Sequence, residues 1–252
     1  MRSLTNIVKT LESFDPITLE ETKAVRLMNR IDTKYVFGLD TLERVLERAV
    51  GAYHVQQVLG ENNIPYHTLY LDTPESAMYM AHQNGRRTRE KIRVRTYIHS
   101  HLTFLEVKNK NNKGRTDKRR IQLDEPDDLP VEMADAFLTQ NAWYSLSQLS
   151  PQLENHFQRI TLVNKAMTER LTIDTNICFH NLRNGNNLEL PHVVVMELKR
   201  DGLQESPIRE ILKDLRVRQS GFSKYCMGCA LTDPRLKQNR FKRRIHRIAK
   251  LG

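Results

Sequence analysis

The sequence predicts an α+β fold in which helices flank an antiparallel β-barrel. Three features predict it. Segments that alternate charged and apolar residues indicate strands with two different faces. Short polar turns join several of these segments, as in an antiparallel meander. Capping signals mark the starts of helices between them.

The helix predictions depend on capping signals and periodicity. A Ser, Thr or Asp followed three residues later by Glu forms a capping box, and proline is favoured in the first helical turn. These signals start predicted helices at Thr18 with Glu21, at Asp40 with Glu43 and at Ser206 with Pro207, and further helical segments are expected at 126–140, 143–149 and after residue 222.

Eight segments have strand character. They are rich in alternating residues and are bounded by turn formers, for example in the Asn-Asn-Lys-Gly sequence at 111–114. In chain order they span residues 30–37, 66–72, 90–97, 102–110, 118–123, 158–164, 170–179 and 192–199.

Six of these strands have one charged and one apolar face, because alternate residues of a strand share a face. In 90–97, for example, Lys91, Arg93 and Arg95 oppose Ile92 and Val94. The charged faces of the other five carry Arg30, Asp32 and Lys34; Glu106, Lys108 and Lys110; Lys118 and Arg120; Arg170 and Asp174; and Glu197 and Lys199.

Two arrangements explain such faces. An antiparallel sheet often has one side on the core and the other in water. However, rows of Arg and Lys at i, i+2 repel one another unless an anion lies between them. The predicted helices also suffice to cover the apolar faces from outside. These two observations favour the second arrangement, a barrel with an enclosed basic tunnel.

Arg and Lys on rigid strands suit the binding of a polyphosphate, because they neutralise its nonbridging oxygens. The acidic residues Glu106, Asp174 and Glu197 in the same rows would repel this ligand. A divalent cation such as Mg²⁺ or Mn²⁺, which bridges carboxylates to phosphates, explains them. The alternative for each is a salt bridge to a neighbouring Lys.

Composition limits the function classes. The chain has 252 residues, no apolar run long enough for a transmembrane helix, and three cysteines that give no disulfide framework. A cytoplasmic protein without a signal peptide is expected. The net charge is +10, but eight positive charges follow Asp233 without an acidic residue. The high pI is therefore due mainly to the basic tail. The strands contain few exposed aromatic residues on which bases could stack, so specific binding of nucleic acid is not expected.

The tail at 235–252 is amphipathic. Phe241, Ile245, Ile248 and Leu251 recur every three to four residues, with cationic residues between them. It could contact an anionic membrane peripherally, hold emerging polyphosphate, or form a disordered solubilising end. We expect the remainder, 1–234, to form one domain.

The Cys-x-x-Cys spacing of Cys226 and Cys229 is not interpreted as a metal site. Zinc needs two more ligands, and the chain has no second pair at ligand spacing. Small buried residues on a helix are expected there.

Six segments, in this order, resemble the VTC domain, the catalytic module of polyphosphate polymerases within the CYTH or triphosphate tunnel metalloenzyme superfamily. The resemblance extends from about residue 20 to 232. The segments are Arg-Ile-Asp-Thr-Lys-Tyr at 30–35, Glu-Lys-Ile-Arg-Val-Arg-Thr-Tyr at 90–97, Leu-Glu-Val-Lys at 105–108, Glu-Arg-Leu-Thr-Ile-Asp at 169–174, Val-Met-Glu-Leu-Lys at 195–199 and Phe-Ser-Lys-Tyr at 222–225.

The resemblance implies an eight-stranded antiparallel tunnel that binds ATP and transfers its γ-phosphoryl group to inorganic polyphosphate, with Mn²⁺ or Mg²⁺. It also implies phosphate ligands at Lys34, Arg93, Arg95, Lys108, Arg170, Lys199 and Lys224 and a metal ligand at Glu197. Lys118 and Arg120 join the predicted substrate ligands through their strand parity, and Glu106 is the second predicted metal ligand. The predicted catalytic residues are Arg93, Arg95, Lys108 and Arg170.

Other functions stay open: hydrolysis of triphosphate or polyphosphate, or an adenylate cyclase activity, on the same fold, and polyphosphate binding without catalysis. Tunnel hydrolases resemble one another through a Glu-x-Glu-x-Lys strand, whereas this chain has Arg30, Asp32 and Lys34 there. The missing carboxylate pair argues against a two-metal hydrolase.

Overall fold

The computed structural model describes residues 2–25, 30–123, 131–202 and 204–251. In these ranges the helices are α1 (Arg2–Glu12), α2 (Leu19–Ala24), α3 (Leu39–Ala49), α4 (Ala77–Gln83), α5 (Val131–Asn141), α6 (Pro207–Asp214), α7 (Lys224–Thr232) and α8 (Lys242–Ala249). The strands are β1 (Asp15–Thr18), β2 (Arg30–Gly38), β3 (Tyr53–Gln57), β4 (Asn63–Asp72), β5 (Arg89–Tyr97), β6 (Leu102–Lys110), β7 (Thr116–Leu123), β8 (Ser150–Asn164), β9 (Glu169–Asn181), β10 (Asn187–Leu190) and β11 (Val193–Asp201).

The eight predicted strands form the main path of a single mixed sheet, in the order β2-β11-β9-β8-β4-β5-β6-β7. All neighbours on this path are antiparallel. The three short strands β1, β3 and β10, which the sequence patterns did not predict, extend the sheet beside β8 and β9. The prediction of an α+β fold with a large antiparallel sheet is confirmed.

The prediction of a closed barrel is wrong. Within the described residues, no backbone pairing joins β2 to β7, so both remain edge strands. Another segment pairs with β2 instead: Tyr35 forms an isolated antiparallel bridge with Gln219, and the Ser220 N–H donates to the Lys34 carbonyl at 2.8 Å. Almost all of β7 is exposed, and charged, exposed strands are typical of protected sheet edges.

Some predicted helix details also differ. Thr18 and Glu21 form the predicted capping box, but α3 begins after Gly38 without a side-chain cap, so the capping box at Asp40 is wrong. The segment 143–149 contains only a short 3₁₀ turn at Leu146–Gln148. The predicted helical residues 26–29 and 126–130 lie outside the described part of the chain.

The convex face of the sheet is covered by α1, α3 and α6. Leu42, Val45 and Leu46 of α3 are fully buried against outward residues such as Ile160 and Ile173 of the sheet. Alternation thus directs apolar residues outward to these helices, and the charged residues of the same strands face the concave side.

Helix α7 packs on the concave face. Its Gly228 lies so close to the sheet that an added Cβ would be 2.5 Å from Leu153 Cδ2 and 2.6 Å from Phe179 Cδ1. Cys226 and Cys229 are buried on this helix, as predicted. The Cys226 thiol lies 3.0 Å from His82 Nδ1. Packing of α7 places the side chain at its first residue, Lys224, inside the curve of the sheet.

The basic tail forms α8 and packs against the domain. Phe241 is fully buried and Ile248 is 5% exposed, both in the same apolar cluster as α7. The amphipathic helix is therefore as predicted, and a disordered end is wrong for this segment. Among the described residues, no helix is long and apolar enough to cross a membrane.

Candidate functional site

The concave face of the sheet encloses a cavity of about 670 Å³, and every strand of the main path contributes to its lining. The basic lining residues are Lys23, Lys34, Lys91, Arg93, Arg95, Lys108, Lys118, Arg120, Arg159, Arg170, Lys199 and Lys224. The acidic ones are Asp32, Asp174 and Glu197. All nine predicted substrate ligands are thus brought together, whereas the predicted metal ligand Glu106 is not among the lining residues. The side chain of Arg30 lies outside what the structure describes.

Asp174 organises one wall of the cavity. Its carboxylate accepts two hydrogen bonds from Arg159, at 2.6 Å from Nε and 2.8 Å from Nη2, and a further one from Lys224. Burial alone would raise the pKa of Asp174, but Arg159 and Lys224 hold it far below its usual range. Asp174 is therefore ionised and fixes two cations at the cavity surface.

Aromatic rings support these cations from behind. The guanidinium carbon of Arg159 lies 5.0 Å from the ring centroid of Tyr66 and 5.2 Å from that of Phe157. Lys224 Nζ is 4.1 Å from the Phe157 centroid. Arg95 contacts the same two rings and also donates to Thr68 Oγ1 at 3.3 Å. The heads of these three cations are held in place before any ligand is present.

Glu197 of β11, the strand next to that of Asp174, lies between two lysines. Its Oε2 is 2.7 Å from Lys34 Nζ, and its Oε1 is 3.2 Å from Lys199 Nζ. The register of β11 with β2 places Glu197 directly opposite Lys34. Burial opposes ionisation, yet the charges of Lys34 and Lys199 hold the pKa of Glu197 far below its ordinary value. The side chain remains 16% exposed to the cavity.

Glu106 lies within the wall. Its side chain is 1% exposed and binds Arg93, with Nη2–Oε2 at 2.6 Å, and Lys118. Burial opposes ionisation, but Arg93, Arg95 and Lys118 lower the pKa of Glu106 to about 2. This position suits the orientation of two basic side chains rather than contact with a ligand in the cavity.

Several lysines of the cavity are easily deprotonated. Burial lowers the pKa of Lys91 to about 8 and that of Lys199 to about 8. Burial also lowers the pKa of Lys224 to about 7, although Asp174 acts in the opposite direction. Lys91 donates to Ser223 Oγ at 2.8 Å. An anion bound in the cavity would favour the protonated form of these lysines.

A hard divalent cation fits the carboxylates of this cavity. Glu197 and Asp32 both line it, and the backbone register places Asp32 opposite Lys199, two residues from Glu197. Mg²⁺ and Mn²⁺ accept one or two carboxylates when substrate phosphates supply further oxygens. Among the described residues, three potential metal ligands cluster only at His67, Glu154 and His156, which lie outside the cavity lining.

Sequence reasoning missed three basic residues of the cavity: Lys23, Lys91 and Arg159. Arg159 and Thr161 lie two residues apart on β8, and both line the cavity. This strand is not among the six for which a charged and an apolar face are predicted. Lys91 was placed on the charged face of β5 but was not selected as a ligand. Applying the parity rule to β8 as well would have identified Arg159, whereas Lys23 lies on α2, where strand parity does not apply.

Comparison with known proteins gives one family. The sequence profile of the VTC domain matches residues 29–232, and no curated protein sequence matches significantly.

Solved structures with similar folds include a putative adenylate cyclase from Vibrio parahaemolyticus, with a TM-score of 0.47 and 12% identity over 80% of this chain and 99% of that chain. A putative adenylyl cyclase from Hippeastrum, described as having a dominant triphosphatase activity, has a TM-score of 0.45 and 11% identity over 81% of this chain and 97% of that chain. A conserved hypothetical protein from Pyrococcus furiosus has a TM-score of 0.42 and 13% identity, with coverage of 79% and 99%. Similarity at this level carries no functional conclusion.

Proposed function

Because this chain belongs to the VTC domain family, we propose that it transfers the γ-phosphoryl group of ATP to inorganic polyphosphate inside the basic cavity. The observation that carries this proposal is the lining itself, in which twelve Lys and Arg residues accompany three carboxylates. A chain of phosphates presents a negative charge at every unit, so a continuous cationic wall matches a polymer better than a single phosphate group.

The proposed reaction needs no nucleophile from the protein. A terminal oxygen of the polyphosphate attacks the γ-phosphorus of ATP, the bond from that phosphorus to the β–γ bridging oxygen breaks, and ADP leaves. One phosphoanhydride bond is formed and one is broken, without water. Such a transfer is accelerated chiefly by alignment and by stabilisation of charge on the transferred group.

Four residues are proposed to act on the transferred group: Arg93, Arg95, Lys108 and Arg170. Each lies on a hydrogen-bonded strand and lines the cavity. The remaining proposed phosphate ligands, Lys34, Lys118, Arg120, Lys199 and Lys224, extend the cationic surface along the cavity, and we add Arg159 and Lys91 to them.

Buried carboxylates are proposed to position these cations. Glu106 orients Arg93 and Lys118, while Asp174 orients Arg159 and Lys224. A preorganised site spends less free energy on reorientation when charge moves during the reaction. We therefore assign Glu106 a positioning role in place of the metal role that its strand parity suggested.

Glu197 is the proposed metal ligand, with Asp32 beside it. Mn²⁺ or Mg²⁺, when bound, supplies neutralisation of phosphate oxygens during the transfer. Lys34 and Lys199 hold the Glu197 carboxylate in its ionised form at the cavity surface, so it is ready to accept a cation that arrives with the nucleotide.

Three activities are separated by one experiment. Purified protein is incubated with ATP and either Mn²⁺ or Mg²⁺, and polyphosphate, ADP and free phosphate are measured together. The proposal predicts polymer and ADP in step, with little free phosphate. Release of free phosphate without polymer would instead identify a hydrolase. Binding of polyphosphate with no consumption of ATP would identify a binding protein.

Residues 1–234 are proposed to carry this activity, and the tail at 235–252 is proposed to add positive charge to the surface. Ile248 of α8 is buried and Ile245 is half-buried, whereas Lys242 and Arg243 are exposed and available for polymer. The use of ATP agrees with the cytoplasmic location expected from the cysteine content.

A further inference from the structure

A cluster of two imidazoles and one carboxylate lies on the face of the sheet opposite the cavity. His67 of β4 stands directly across from His156 of β8 in the antiparallel register, and Glu154 precedes His156 by two residues on the same face. The neighbours of His67 in the chain, Tyr66 and Thr68, point to the concave side. The cluster is therefore separated from the cavity by the thickness of the sheet.

The donor atoms of these three side chains are close together. One ligand atom from each lies within 4.8 Å of the others, and His67 Nε2 is 3.9 Å from a Glu154 oxygen. The two imidazole rings stack with centroids 4.4 Å apart. Ligands at about 2.0–2.2 Å from a tetrahedral ion are separated by somewhat over 3 Å, so small side-chain rotations would bring all three onto one ion.

From this geometry we propose that His67, Glu154 and His156 bind a transition-metal ion of the Zn²⁺ class. Two nitrogens and one oxygen match the ligand preference of zinc, whereas Mg²⁺ and Ca²⁺ prefer oxygen alone. The side chains of His67 and Glu154 are 28% and 31% exposed, and His156 is exposed. An ion can enter from solvent and retain water as its fourth ligand.

The proposed ion would link β4 to β8 through their side chains. These strands carry the groups that support the cavity cations from behind: Tyr66 and Thr68 flank His67, and Phe157 follows His156. A metal bridge at this register would add a side-chain link to the backbone hydrogen bonds that pair the two strands, next to the aromatic residues that contact Arg95 and Arg159. The proposed site is independent of the reaction in the cavity, and its chemistry differs from that of the hard cation expected there.

The test uses the untagged full chain, titrated with Zn²⁺ by calorimetry and with Co²⁺ by visible absorption, which reports tetrahedral coordination. One ion per chain at this site is expected, with affinity at least tenfold lower in H67A, H156A and E154Q. H246A is the matched control, since it removes an exposed imidazole from α8, and it should bind the metal like the unaltered protein.

Circular dichroism and thermal unfolding establish that each variant is folded. The proposal is overturned if the unaltered chain binds no Zn²⁺, or if the three cluster variants bind it as tightly as H246A does. Metal binding by a chain that makes no polyphosphate would support this site and reject only the proposed function. Binding that is lost equally in all four variants would show adventitious histidine contacts and would also overturn it.

Discussion

Glu197→Gln tests most directly the proposal that Glu197 binds the metal whereas Glu106 and Asp174 position basic side chains. The substitution keeps the shape of a side chain that is 16% exposed to the cavity but removes its negative charge. Lys34 and Lys199, at 2.7 and 3.2 Å, then lose their counter-charge. Without this carboxylate the cavity carries one more net positive charge, so binding of tripolyphosphate should be retained or strengthened.

The effect on turnover should be large. Loss of one preorganised electrostatic group typically costs about 2.7–4 kcal/mol of transition-state stabilisation, or roughly 10²- to 10³-fold in rate. We expect a fall of this size in polymer formation from ATP, measured across a range of Mn²⁺ concentrations. Affinity for tripolyphosphate, measured by calorimetry without metal, provides the second readout.

Glu106→Gln is the matched control, because the same substitution is made at a carboxylate that lies within the wall. Breaking a buried ion pair costs about 3–5 kcal/mol of stability, so the free energy of unfolding should fall. The Mn²⁺ concentration for half-maximal turnover should not move. Full metal-dependent activity in Glu197→Gln, or a shifted Mn²⁺ dependence only in Glu106→Gln, would refute the assignment.

Three further predictions concern the cavity, the tail and α7. The pKa values of Lys199 and Lys224 are about 8 and 7, so both lysines lose their charge as the pH rises above these values. Affinity for tripolyphosphate should therefore fall from pH 7 to pH 9, and protons should be taken up on binding. Calorimetry in two buffers measures both effects, and finding neither would contradict this prediction. Arg93→Ala should abolish polyphosphate synthesis at every chain length. Replacing the exposed basic residues of α8 by Gln should leave the initial rate nearly unchanged and should shorten the product, most strongly at low salt. Equal effects of the two changes would mean that the tail takes part in phosphoryl transfer. Gly228→Ala should lower the free energy of unfolding by about 1–3 kcal/mol, because the added methyl group overpacks against Leu153 and Phe179. Urea unfolding measures this change, and an unchanged midpoint would show that α7 can shift to accommodate the methyl group.

Strand identity and facing were accessible from the sequence because they depend on local chemistry. In β5, the alternation of Arg93 and Arg95 with Ile92 and Val94 is a property of consecutive residues, and the structure places the two arginines in the cavity and the two apolar residues in the core. Strand parity alone also predicts that Lys34 and Lys199 face inward, without any information on their partner strands.

Partners across the sheet were not accessible in this way. Glu106 and Glu197 have the same parity signature, but only the tertiary structure shows that Glu106 is 1% exposed within the wall while Glu197 reaches the cavity. Burial depends on the curvature of the sheet and on side chains from other strands. The pairing of Asp174 with Arg159 and Lys224 likewise joins two strands and a helix.

The sequence by itself determined the α+β class, eight strands in order, and the inward direction of the basic residues, since each follows from the two-residue period of a strand. The tertiary structure alone decided that the seam between β2 and β7 stays open, that α7 packs inside the curve and that β4 and β8 bring His67 and His156 together. These features depend on register and close packing between segments far apart in the chain, which the local alternation of residues does not specify.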